Sequence, residues 1–412
     1  MSPPDELTED ERRRVSEACE TTLRQNWREG ERHSDGAAFA YTCPSPGHYP
    51  WQWYWDSCFS AIVWRRHDPG RARRELESLL AAQRPDGFIG HTIFWNTPLT
   101  GTRRFTYNVL SPAAPMTATI QPPALAWAWR IAVGDPRAVP GIVRHHEWLQ
   151  AHRDLDGDGL IWIIQPDESG LDASPQFDPI WGQEAHGLPG FVRLVHRNRR
   201  RGFDLRRVSA ARGPVCCEVM TNVLYSLSRS ALGLPSLTGT IVARMYDSSR
   251  GLFWPIARPQ HRQRTPLTWS ALSPLALPDL PLEIGHRLVQ EHLLDPECFW
   301  LPVPPPSVAA GDPCFSVQDR ARWGFRRYWR GPSWVNASWL LWLGLVRLGY
   351  ANEAGQLAAR IGHAMARSGL REYYHPYTGA GMGASAFGWS ALGMELLEPD
   401  PRAGTSYLRR PD

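Results

Sequence analysis

Lysine is missing from this chain: all 45 of its basic side chains are arginine. That absence reads as a compositional bias of the coding sequence, and no function is drawn from it. An excess of either charge is also lacking, because the arginines stand against 41 Asp and Glu for a formal net charge of +4. With both signs interspersed, composition gives no ground for a nucleic-acid or membrane partner. No run is long enough to span a bilayer; the longest apolar stretch, Trp339–Val346, falls far short of the roughly 20 residues needed. A buried helix accounts for it. The opening residues, MSPPDELTED, lack the basic-then-apolar order of a secretory leader. Cys-X-X-Cys pairs are absent: the cysteines at 19, 43, 58, 216, 217, 298 and 314 are odd in number and scattered. They point to reduced thiols in a cytoplasmic protein. The densest basic run, Arg197, Arg199, Arg200, Arg201, Arg206 and Arg207, reads as a solvated loop, with an anion-facing surface as its alternative.

Strand signals are few, and helical ones are many. Thr8 and Glu11 form a capping-box pattern, and Val15, Ala18, Cys19, Thr22, Leu23, Asn26 and Trp27 follow at helical spacing, predicting a helix to about Glu29. Asp56 to Arg66 and Ala72 to Gln83 read as the next two, separated by the breaker His67-Asp68-Pro69-Gly70. Further helices are predicted near 116–133, 137–152, 214–232, 238–247, 268–276, 281–294, 332–349, 352–369 and 385–397. Long loops at 40–55, 84–115, 154–185, 300–331 and 371–384 interrupt them, alternating with helix pairs. That alternation is expected if every second connection opens onto one rim of a helical toroid. No composition shift marks a second domain, so residues 1–412 are read as one.

Those loops hold unusual chemistry. Twenty tryptophans are far above ordinary usage, and many lie beside polar residues in loops. Tyr49, Trp51, Trp53, Tyr54 and Trp55 precede Asp56; Tyr328, Trp329 and Trp334 surround Arg330 and Gly331. Aromatic faces cover the apolar face of a pyranose while carboxylates and amides take its hydroxyls. A small-molecule sugar is the ligand class this chemistry suits. The plain alternatives are core aromatics and, for Asp56, a helix N-cap. The loop from Gln165 to Pro175 has no apolar periodicity yet carries Asp167, Glu168 and Asp172. Glycoside hydrolysis needs one protonated acid at the leaving oxygen and a second carboxylate across the sugar ring. Glu372, alone among carboxylates between Glu353 and Glu395, lies amid aromatics and glycines; its alternative is a surface Glu past a helix end. Asp154, Asp156 and Asp158 open like a calcium loop, but Gln165 stands where the bidentate Glu belongs. They read as an Asp-rich turn, and neither metal nor cofactor is predicted.

Seven blocks in one order carry a resemblance: YPWQWYWDSCF (49–59), DGFIGHTIFW (86–95), IQPP (120–123), DESGLDASPQFDP (167–179), PSVAAGDPCF (306–315), YWRGPSW (328–334) and EYYHPYTGAGMGASAFGWSAL (372–392). Together they resemble the mannosylglycerate and glucosylglycerate hydrolases of glycoside hydrolase family 63, with a more distant likeness to trehalases and processing α-glucosidase I. The resemblance implies an all-α fold, an (α/α)6 barrel of six hairpins with its pocket at one rim, and hydrolysis with inversion. Carried onto matching positions, it makes Asp172 the general acid and Glu372 the general base. Tyr49, Trp53, Trp55, Asp56 and Gln121 would hold the sugar at the cleaved bond; Tyr328, Trp329, Trp334 and Trp389 would close its other side.

Between Leu234 and Gly251 the chain departs from the pattern: only Pro235-Ser236-Leu237-Thr238 separates one helix from a shortened successor, as if part of the barrel wall were deleted. An anionic acceptor calls for an arginine fork, and Arg207, Arg326 and Arg327 all qualify. The competing readings are an exo-acting α-glucosidase or trehalase-like hydrolase with a neutral acceptor, a catalytically silent sugar-binding barrel, and a terpene-cyclase-type helical barrel.

Overall fold

The computed structural model describes residues 6–97, 99–111, 115–182, 188–259, 265–318 and 328–398, the side chain of Leu188 aside. Arg326 and Arg327, two of the three acceptor candidates, lie outside the described residues.

The first helix, α1 (Glu9–Asn26), starts as its sequence predicts, with Thr8 and Glu11 exchanging both capping-box bonds. It stops three residues earlier than expected, because Trp27–Glu31 leaves as a strand paired with Ala38–Thr42. In α2 (Tyr54–His67) every residue from Tyr54 to Trp64 is buried, as in a helix apolar all round that lies inside a protein. The His67-Asp68-Pro69-Gly70 breaker is also a start signal: Asp68 caps Arg71 N–H and Pro69 opens α3 (Pro69–Ala81).

Other boundaries moved further. The helix predicted at 116–133 is confined to Leu125–Ala132, and that at 268–276 is a 3-10 segment, Trp269–Ala276, with Pro274 inside it. The stretch 281–294 divides into an α-helix, Leu282–Leu288, and a π turn, Val289–Leu293. The 385–397 stretch becomes a 3-10 turn, Gly388–Leu392, and a short helix, Gly393–Leu397. The basic run is a loop only in part: Arg200 and Arg201 lie in the turn between two helices, Leu188–Arg199 and Leu205–Ala210, which carry Arg197, Arg199, Arg206 and Arg207, and Arg199 reaches the Val109 and Leu110 carbonyls. Strands form five two-stranded antiparallel ribbons among the described residues, so the helices carry the core while ribbons shape the loops.

The buried segments close on themselves. Helix α2 packs on Leu125–Ala132, that on Val219–Ala231, that on Trp269–Ala276, that on Val335–Arg347, that on Gly388–Leu392, and this last on α2 again. Outside this circuit, α3 backs α2, Thr238–Met245 backs Val219–Ala231, and Ala351–Ser368 backs Val335–Arg347. The shortened helix expected near 240 is Thr238–Met245, and its Ile241 and Met245 are fully buried, so the abbreviated wall still seals the core. Nearly all buried apolar side chains join one cluster. All seven cysteines are unpaired thiols, and no helix among the described residues is long and apolar enough to cross a membrane.

Candidate active site

At one end of the circuit the loops converge. The first loop folds as a tight hairpin, Ser45 bridging Tyr49, and is tied to the last loop by Ser45 Oγ donating to Ser385 O and Gly388 N–H to Pro44 O. Gln52–Trp53 then pairs with Thr92–Ile93. This ribbon turns the chain into α2 with Trp53 as its N-cap residue, so Asp56 sits inside the first turn and is not the cap. Asp56 is buried, and burial, then Glu372, Glu75 and Asp172, push its carboxyl well above the usual range. Trp55 N–H donates to Gln121 Oε1 at 2.9 Å, which fixes the amide of the IQPP block beside α2.

The three carboxylates of the 165–175 loop separate into different environments. Glu168 is fully buried and accepts from both Arg153 guanidinium nitrogens (2.8 and 2.7 Å) and from the Ile120 and Ile164 amides. It is the loop's internal anchor. Asp167 accepts from Gln165 and Asn108 side chains, and burial with the neighbouring Asp172 and Glu168 charges pushes it up to about 7. Asp172 faces the cavity, its Oδ2 taking the Tyr328 hydroxyl at 2.9 Å. Gly170 makes this turn possible: its φ is +70°, and a Cβ there would lie 2.5 Å from the Trp55 ring.

Glu372 does not sit on the surface past a helix end. It is 4 % exposed, on the strand Arg371–Tyr374, which pairs with Gly381–Ser385 through a bulge between Met382 and Ser385. The bulged strand aims Ala384 N–H at Oε2 (2.9 Å), while Tyr49 O–H donates to Oε1 at 3.2 Å. Burial and the charges of Glu372 and Asp172 raise the Tyr49 phenol, and burial then Asp172 raises that of Tyr328. Both hydroxyls therefore remain protonated donors.

Aromatic rings make the walls. Trp329 and Trp334 stack at 3.7 Å, Tyr328 lies parallel to Tyr373 at 6.0 Å, and Trp389 meets Trp55 and Trp334 edge-on at 5.2 and 5.6 Å. The cavity they enclose has about 420 Å³ of space between atoms, its open mouth included. Tyr49, Trp53, Trp55, Asp56, Gln121, Asp172, Tyr328, Trp329, Trp334, Glu372 and Trp389 all line it. Pro44, His91, Gly170 and Phe387 line it too and were not singled out by sequence. His91 had a signal, its place in the DGFIGHTIFW block; it packs on Trp53 at 5.1 Å, and burial pushes it down to about 3, so its ring is neutral.

The aspartates at 154–158 lie elsewhere and form the expected turn. Asp154 accepts from the Gly157 and Gly159 amides, Asp158 from Leu160 N–H, and Asp156 and Asp158 pair with Arg244, Asp156 also with Arg258.

A mannosylglycerate hydrolase of Thermus thermophilus is 30% identical, the match covering 88% of this chain and 96% of that protein. A glucosylglycerate hydrolase of Mycolicibacterium hassiacum is 25% identical over 85% and 92% of the two chains. The crystal structure of a family 63 mannosylglycerate hydrolase from Thermus thermophilus, in complex with Tris and D-glycerate, superposes with a TM-score of 0.75 at 26% identity, covering 93% of this chain and 99% of that one. A neutral trehalase of Saccharomyces cerevisiae, 16% identical with a TM-score of 0.54 over 94% and 81% of the chains, shares the fold. The mannosylglycerate hydrolase MGH1-like glycoside hydrolase domain matches residues 49–232 and 234–390, and the chain therefore belongs to that family and is a glycoside hydrolase.

Proposed function

We propose that the enzyme hydrolyses a small α-glycoside of glycerate, mannosylglycerate or glucosylglycerate, with inversion, Asp172 acting as general acid and Glu372 as general base. The observation that carries this reading is the convergence of two carboxylates, from separate loops, on one aromatic-walled cavity, each held by its own tyrosine hydroxyl. Asp172 would protonate the glycosidic oxygen as the bond breaks. Glu372 would take a proton from the attacking water; both its oxygens accept hydrogen bonds, as an ionised carboxylate does. Inversion needs the two carboxyl groups about 6.5–9.5 Å apart, with the water between them. Tyr49, Trp53, Trp55, Asp56 and Gln121 form the wall for the sugar at the cleaved bond, and Tyr328, Trp329, Trp334 and Trp389 the facing one. The glycerate assignment is supported by relatives of both specificities. In the same reading residues 1–412 are one domain, a toroid of six helical hairpins, to which the closed circuit of buried segments gives support.

Proton NMR of the anomeric region during hydrolysis of mannosylglycerate, glucosylglycerate and trehalose tests this. The β-sugar is expected first, from one of the glycerate substrates, and from neither the Asp172→Asn nor the Glu372→Gln variant. Early α-sugar would make Glu372 a candidate nucleophile, and turnover of trehalose alone would replace the anionic acceptor with a neutral one.

A further inference from the structure

The loop bearing Asp172 and the loop bearing Tyr328 are joined twice. The first junction is the Tyr328 hydroxyl on Asp172 Oδ2 at 2.9 Å. The second lies two residues beyond Tyr328 and six beyond Asp172, where Arg330 grips Asp178 with both terminal nitrogens, 2.9 Å to Oδ2 and 2.7 Å to Oδ1. Their side chains are only 4% and 8% exposed. A buried ion pair is weak evidence of stability, since desolvation offsets most of its attraction; what a two-pronged fork does supply is a fixed geometry between the segments it joins. The Arg330 side is itself immobilised. Arg330 O accepts from Ser316 N–H at 2.7 Å, Gly331 N–H donates to Ser307 Oγ at 2.8 Å, and Trp329 is stacked on Trp334. On the other side Asp178 begins the short helix Asp178–Trp181, directly after the 3-10 turn Pro175–Phe177 that follows the acid.

We propose that Arg330 and Asp178 are positioning residues for proton donation: their fork fixes the Asp172 loop against the Tyr328 loop, so that the carboxyl is presented to the leaving oxygen. The proposal rests on Asp172 being the general acid. Neither member of the pair lines the cavity. A group that acts only by placing the acid should matter in proportion to how much the leaving group needs a proton. Glycerate leaves as an alcohol and needs one; fluoride leaves as an anion and needs far less.

The test compares kcat on mannosylglycerate and glucosylglycerate with kcat on α-mannosyl and α-glucosyl fluoride, for Asp178→Asn, Arg330→Lys and the paired change Arg330→Met with Asp178→Leu. The pair removes the fork without stranding a buried charge, so it keeps the question open if a single variant does not fold. Since general acid catalysis contributes roughly 10²–10⁴-fold, kcat on the glycosylglycerate is expected to fall about 100-fold. Hydrolysis of the fluoride should change less than about 3-fold, and KM less than about 2-fold. A parallel fall on both substrates, or no fall on either in folded enzyme, overturns the clamp. Asp172→Asn is the reference: if it fails to spare the fluoride, the acid assignment itself is wrong. If it spares the fluoride and the fork variants do not, only the clamp falls.

Discussion

Gly383 lies against Glu372 as closely as backbone allows. With φ at +65°, a Cβ added there would stand 2.6 Å from Glu372 Oε2 and 2.6 Å from the Tyr373 ring, so Gly383→Ala must displace the carboxylate or open the bulge. Gly379 has a similar φ of +69°, but its added Cβ would meet only Ala364 and Val303 at 3.3 Å and beyond. Left-handed backbone costs an alanine about 1 kcal/mol at either site. Steady-state kinetics should therefore separate them: Gly383→Ala losing roughly 100-fold or more in kcat, Gly379→Ala staying within about 3-fold. The tyrosines give a second contrast. A hydrogen bond to a charged group is worth about 1.5–3 kcal/mol, and Glu372 as base carries its charge from the start while Asp172 as acid gains one as it gives up its proton, so Tyr49→Phe and Tyr328→Phe should each lower kcat/KM roughly 10- to 100-fold. Tyr328→Phe, acting at the acid, should spare a glycosyl fluoride, whereas Tyr49→Phe, acting at the base, should slow both substrates alike. Sequence alone left both carboxylates open to plain readings, an N-cap for Asp56 and a surface position for Glu372. Those readings depended on neighbours distant in the chain: Gln121 beside α2, and Tyr49 and Ala384 around Glu372. Ordered motifs carried that information, and local spacing did not.

Among the elements, the 165–172 turn depends on a side chain that never reaches the cavity. Glu168 collects four N–H donors, two of them from Arg153, itself 1% exposed. Glu168→Ala would leave that guanidinium buried without its partner, a loss of about 3–5 kcal/mol. It should appear as a lower denaturant midpoint at unchanged slope, accompanied by lost activity as Asp172 drifts. An unchanged midpoint would show that the ion pair is dispensable. The start of α1 was legible because its capping box is local chemistry, α2 and Val335–Arg347 because their apolar content is high, and α3 because Ala72, Leu76 and Leu79 recur at helical spacing after the Asp68-Pro69 start. What failed was tertiary. Residues 116–124 contain Pro122-Pro123, which a helix running through 116–133 could not accommodate, and their amides are taken by other loops: Thr117 bonds Thr92, Ala118 bonds Asn108, and Ile120 bonds Glu168. The helix Leu188–Arg199 opens with Pro189 and Gly190 and is crowded with arginine, so its composition imitated a loop. The ribbons were missed because strands of two to five residues hold no period long enough to read.

For the molecule as a whole, closing the circuit forces titratable groups into an apolar wall, and their ionisation couples pH to stability. His145 is buried, with Nδ1 donating to Gly87 O and Nε2 accepting from Tyr54 O–H, and burial lowers it to about 4. Glu75 is buried beneath Thr42 and Ser57, and burial raises it to about 7. The signs are opposite. An unfolded chain at pH 5 protonates its histidines and the folded one does not, so the contribution of His145 is complete above about pH 6.5 and is lost as pH falls toward 4. For Glu75 the folded state holds the proton more tightly; its contribution is complete below about pH 4.5 and is lost as pH rises through 7. His145→Gln keeps one donor and one acceptor, and Glu75→Gln keeps the shape, while neither replacement titrates. Between pH 5 and 7.5 the stability gap between wild type and His145→Gln should widen by about 2 kcal/mol, and that between wild type and Glu75→Gln should narrow by about as much. Denaturant midpoints of the three proteins at both pH values measure these differences, and because every other titrating group is shared, its effect cancels in each comparison. Gaps that move in the same direction would mean that one of the two groups already carries in the folded protein the charge it has in water.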